Sequence, residues 1–131
     1  MRYTESAYWV QPRGHGMKNV YCAAFIVANL AAILTSNVAL KLSAGANNLR
    51  TFLIWQVVGN LTGFLGVLAG TALLRLVPLN VGFGITAGLG FVLVQVVGAR
   101  WYLHEPILPL QWIGSAVVVL GVILIALGTK S

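Results

Sequence analysis

The sequence predicts an all-α integral membrane protein of four transmembrane helices. Composition is the first observation: the 131 residues are 59% hydrophobic and 8% charged, where a soluble domain carries roughly a quarter charged residues. The second is spacing. No Asp, Glu, Lys or Arg occurs in residues 19–40, 51–74, 76–99 or 106–129, four intervals of 22 to 24 residues. A hydrocarbon core about 30 Å thick needs roughly 20 helical residues at 1.5 Å each, so every interval crosses it once. The third is the set of turn-forming residues between the intervals.

The first helix is expected from about Asn19 to Leu42, with Tyr21 at one interface and Lys41 reaching toward the other. The segment Ser43 to Arg50 reads as a short turn that forces an antiparallel return. A second helix follows over about Thr51 to Leu74, with Arg75 capping its end. Pro78 marks the next connection and Asn80 starts a third helix that runs to about Tyr102. Pro106 and Pro109 then break the chain, since two prolines so close disrupt a helix interior. The fourth helix covers about Leu110 to Leu127. Residues 1–16 form an N-terminal tail ahead of the four-helix domain 17–131. Met17-Lys18-Asn19 reads like a start before a membrane helix, so the tail reads as an extension, either disordered or lying at the interface through Tyr8 and Trp9. It lacks the apolar stretch of a cleavable signal.

The net charge of +6 does not form a nucleic-acid patch. Lys18, Lys41, Arg50, Arg75, Arg100 and Lys130 sit at or near the ends of the apolar intervals, where lipid headgroups are the expected partners. Basic residues divide three against three between the two faces, and only Arg2 and Arg13 tilt the count to five against three. That weak bias predicts either termini inside or insertion in both orientations, the latter permitting an antiparallel homodimer. The single Cys22 has no partner for a disulfide or metal site. With no Ser/His/Asp set, no metal-ligand cluster and no phosphate loop, the chain is expected to be neither an enzyme nor a cofactor binder.

Polar residues inside hydrocarbon need partners or a cavity, which makes them the candidates for a site. Asn29, Ser36 and Asn37 are spaced by seven and eight on the first helix, around Ile33. Gln56 and Asn60 stand one turn apart on the second helix. On the third, Gln95 and Tyr102 share a face with Gly98, opposite Thr86. A substrate path would therefore use Asn29, Asn37, Gln56, Asn60, Thr86, Gln95 and Tyr102, while plain interhelical hydrogen bonds explain the same residues structurally. Glu105, five residues after Arg100, is with it the candidate charge or proton site, or else fixes the turn between the third and fourth helices by hydrogen bonds or by pairing with Arg100. Gly59 with Gly63, and Gly114 with Gly121, are placed for close helix packing or a dimer seam.

Three stretches carry a family resemblance: Lys41-Leu42-Ser43-Ala44-Gly45 after the first helix, Pro78 through Gly88-Leu89-Gly90, and Leu103-His104-Glu105-Pro106 leading to Trp112, Gly114 and Gly121-Val122. Over about residues 17–128 the chain resembles the drug/metabolite transporter superfamily, especially small multidrug resistance proteins and half of an EamA-like transporter. It is also similar to the subunits that flip aminoarabinose-linked undecaprenyl phosphate. The resemblance implies the four-helix fold, dimerisation through the fourth helix, a bacterial inner membrane and passage of something amphipathic. The proton-coupled exporters carry a glutamate eight residues before the lysine, where this chain has Ile33. The aromatic positions of their third helix fall on Phe83 and Thr86, of which one is aromatic.

The expected function is that of a small transporter or flippase-type subunit moving an amphipathic or lipid-linked solute. Its expected partners are membrane lipid and a second four-helix subunit, identical or similar, with no nucleic acid. One alternative is a proton-coupled small multidrug resistance exporter using Glu105; another is a non-transporting accessory subunit of a larger membrane complex.

Overall fold

The computed structural model describes residues 14–128, apart from the side chain of His15; the tail 1–13 and Lys130 lie outside the described residues. Four helices run antiparallel: α1 (His15–Ala44), α2 (Leu49–Leu73), α3 (Leu79–Leu93), which continues as a π-helical segment (Val94–Tyr102), and α4 (Pro109–Gly128). Their apolar spans of 29, 25, 24 and 20 residues are long enough to cross a membrane. Helix α1 begins four residues before the expected Asn19. A charge ends an apolar interval but not a helix, which continues into the headgroup zone.

Local chemistry fixes the ends. Gly45 donates its backbone N–H to Lys41 O at 3.1 Å and closes α1. Asn48 Oδ1 then accepts from Thr51 N–H at 2.8 Å, so this N-cap starts α2 at Leu49 rather than Thr51. The helix ends at Leu73, with Leu74 as its C-cap, and Arg75 lies in the following turn. Pro78, held at φ −58°, leads into α3, which leaves Asn80 inside the first turn. His104 adopts φ 55°, a left-handed conformation that stops the π-helical segment. At α4, Pro109 occupies the first helical position, where its missing N–H removes nothing. Gln111 Oε1 accepts the Leu108 N–H at 2.8 Å, one half of a capping box.

Burial is inverted relative to a soluble bundle. Among the described residues the buried apolar side chains are Ala39, Leu73 and Leu76, whereas Asn29, Ser36, Ser43 and Ser115 are buried and polar. Large side chains such as Leu53, Phe64, Phe83 and Leu120 face outward. Small residues inside and large apolar residues outside are what close helix packing in lipid requires.

Gly59, Gly63, Gly66 and Gly70 line the α2 face that meets α1. A Cβ at Gly66 would lie 3.1 Å from Ala32 Cβ, and one at Gly63 would lie 3.0 Å from Ser36 Oγ. Gly59 and Gly63 therefore belong to a contact within the chain rather than to a seam between chains. Helix α4 packs on α3 and on neither α1 nor α2. Gly84 and Gly88 of α3 receive Ile125 and Val122 of α4, while Gly114, Gly121 and Gly128 have nothing within 4 Å of a Cβ position.

Candidate functional site

Three recesses follow α3 in series. The first, about 360 Å³, lies among α1, α2 and α3 and is lined by residues including Asn29, Ile33, Gly70, Thr71, Phe83 and Thr86. The second, about 240 Å³, shares Ile33, Thr86 and Ala87 with it and adds Asn37, Gly90 and Phe91. The third, about 470 Å³, shares Phe91 and Val94 with the second and ends at Gln95, Glu105, Gln111 and Gly114. Sharing these wall residues, the three line up as a segmented groove from the start of α3 to the α3–α4 connection. Exposed Thr71, Phe83 and Phe91 open it toward the outer surface of the bundle.

The polar residues expected on one path divide among different surroundings. Asn29 and Ser36 do point the same way, toward α2. Asn29 Nδ2 donates to Gly66 O and Ser36 Oγ donates to Gly59 O, both at 2.8 Å. Asn37 does not share that face, because eight residues of α-helix overshoot two turns by about 80° whereas seven fall only about 20° short. It is exposed, returns Nδ2 to Ile33 O at 2.8 Å and lines the second recess. Ile33, between the two amides, lies where the first two recesses meet.

Gln56 and Asn60 leave the path. Ser43 Oγ lies 3.1 Å from Gln56 Oε1 near the α1–α2 turn, and Asn60 Nδ2 donates to Gln56 O at 2.7 Å. Neither lines any of these recesses. Gln95 does line the third, yet it serves as a lock between helices. Its Oε1 accepts from Ser115 Oγ at 2.6 Å, and its Nε2 donates to Gln111 O at 3.4 Å.

Gly98 instead faces Leu34 and Val38 of α1. Tyr102 joins it in a separate recess of about 270 Å³ that shares no residue with the groove. The expected common face loses Gln95 because these residues lie in the π-helical segment, whose wider turns open the angle between residues three apart and keep Gly98 and Tyr102, four apart, together.

The expected Glu105–Arg100 pair is also replaced. Glu105 Oε1 lies 3.0 Å from Lys41 Nζ. The backbone explains the choice: Leu103 N–H returns to Gly98 O, His104 turns left-handed, and Glu105 N–H reaches Ala99 O at 2.8 Å. Glu105 is thereby set at the rim of the third recess, on the membrane face where α1 ends. Glu105 follows the third span, which ends at Tyr102, and Lys41 lies in the last turn of α1, so the pair sits at the end of the spans.

Ser115 and Gln111 were not among the expected site residues. The signal was present for Ser115, which is the one hydroxyl between Pro109 and Gly128, but nothing in the sequence pairs it with Gln95. Compared with protein-family models, curated proteins and solved structures, the chain matches none. Its four long, apolar, antiparallel helices make it a small four-helix membrane protein.

Proposed function

We propose that this protein moves an amphipathic or lipid-linked solute across the membrane, as a small transporter or flippase-type subunit, along the groove that follows α3. The observation that carries the reading is the series of recesses with shared walls, which follows α3 and its π-helical continuation from Gly82 to the connection at Glu105 and exposes its apolar walls to the lipid side. Asn29, Asn37, Thr71 and Thr86 give its first two recesses intermittent hydrogen-bonding sites, and no Asp, Glu, Lys or Arg lines either of them. A head group can step between such sites while its tail remains in hydrocarbon. Helix α4 packs on α3 alone and a Cβ at Gly121 would meet nothing within 4 Å, which supports association of α4 with a second four-helix subunit, identical or similar.

The test is movement of fluorescent phospholipid analogues between leaflets of proteoliposomes, followed by chemical quenching of the outer leaflet. Wild-type protein accelerates loss of the protected fluorescence over protein-free vesicles, and Asn37→Leu with Thr86→Val slows it. Equal rates with and without protein, for neutral and charged analogues alike, would refute the reading.

A further inference from the structure

Among the described residues, Asn29 Oδ1 is the buried side-chain atom that lacks a hydrogen-bond partner. The other end of the same amide is anchored, because Nδ2 donates to Gly66 O. Turning the amide over would set two oxygens against each other, so the Gly66 carbonyl determines which atom is left free. An unpaired acceptor in an apolar surrounding is unfavourable, and a donor from outside the chain relieves it once a small side-chain movement uncovers the buried oxygen.

Asn29 lines the first recess, and the two threonines there repeat its polarity. Thr71 gives its only hydroxyl hydrogen to Val67 O at 2.9 Å, and Thr86 gives its own to Gly82 O at 2.8 Å. What each hydroxyl still offers the recess is an acceptor. An anion entering here would meet lone pairs. An ammonium group would lose its water with no counter-charge, since no carboxylate lines the recess. An uncharged group with several hydroxyls brings donors and carries no charge to desolvate.

We propose that the recess formed by Asn29, Thr71, Phe83 and Thr86 is a subsite for the uncharged, hydroxyl-bearing head group of a membrane amphiphile, such as a glycosyl lipid. The proposal rests on the reading of the groove as a substrate path and assigns the chemistry of its first station. Thr86 also lines the second recess, which makes it the acceptor shared by two successive positions.

Native mass spectrometry of the full chain in mild detergent tests this with three probes of identical acyl chains: monoglucosyl diacylglycerol, phosphatidylglycerol and phosphatidylethanolamine. The glucosyl lipid is expected to be retained preferentially. Thr71→Val and Thr86→Val each weaken its retention about fivefold, the loss of one hydrogen bond, and Thr86→Ser restores it. Both valine variants keep the side-chain shape and leave the Asn29–Gly66 bond in place. Equal retention of the three lipids, preference for either phospholipid, or retention indifferent to both valines overturns the proposal. Movement of the same probes is scored separately in proteoliposomes. Selective retention without movement refutes the transport reading and leaves the subsite standing, whereas movement without selectivity refutes the subsite alone.

Discussion

Lys41 Nζ stands 3.0 Å from Glu105 Oε1, tying the last turn of α1 to the connection between α3 and α4. Both side chains are substantially exposed, so the pair contributes no more than about 0.2–1 kcal/mol and is screened by salt. A double-mutant cycle of Lys41→Gln and Glu105→Gln, read by thermal unfolding in detergent, should give a coupling in that range that shrinks as salt is added. Exchanging the two charges should recover most of it. Glu105→Gln should also leave lipid movement intact, whereas abolition would show that this carboxylate carries the coupling proton.

The two sets of glycines should respond oppositely to a methyl group. At Gly66 the new Cβ lies 3.1 Å from Ala32 Cβ, which cannot rotate away, so Gly66→Ala must separate α1 from α2. A loss of about 1–3 kcal/mol is expected. Gly121→Ala meets nothing within 4 Å and should leave the stability of the single chain within about 0.5 kcal/mol. Unfolding midpoints measured in detergent at a concentration where the chain is monomeric separate the two cases. A loss of dimer in Gly121→Ala at higher concentration would locate a partner on that face.

The four spans are legible in the sequence because lipid imposes a rule on every residue of a span: a formal charge is costly anywhere along it. Helix ends are less legible, since Asn48 and Gln111 act through single hydrogen bonds of a kind that several nearby residues are equally able to supply. The groove was legible in part. Asn29, Asn37, Thr86 and Gln95 line it, while Gln56, Asn60 and Tyr102 do not. Periodicity places residues around one helix, but which neighbour each face meets depends on helix pairing. The π-helical turns at Val94–Tyr102 defeat the α-helical period itself.

Ser36 and Asn37 adjoin in sequence but serve different links between structure and function. Ser36 is buried and bonds across to Gly59 O, so Ser36→Ala should cost about 0.6 kcal/mol and at most about 1.7. Asn37 is exposed and bonds only within its own helix. Asn37→Leu should leave stability within about 0.5 kcal/mol while slowing lipid movement, because it removes a polar site from the second recess. Reversal of this pattern, with Asn37 governing stability and Ser36 transport, would place the path between α1 and α2.

Helix α4 depends on α3 alone, which makes the Gln95–Ser115–Gln111 cluster a test of how independently it moves. In Gln95→Leu the single Ser115 hydroxyl hydrogen, no longer drawn to Gln95 Oε1, turns to Gln111 O at 2.9 Å, so no buried donor is stranded and the chain still folds. The lost contacts should lower stability by about 0.6 kcal/mol, and that loss should fall on α4, because the apolar contacts of Gly84 and Gly88 are then its main tie. Hydrogen exchange should accelerate over residues 109–128 and remain unchanged over α1 and α2, since elements of low contact density open separately from the rest. Uniform acceleration across all four helices would instead mean that α4 opens only with the whole bundle. In that case the third recess could not widen by a movement of α4, and passage past Glu105 would require α1 to release Lys41 instead.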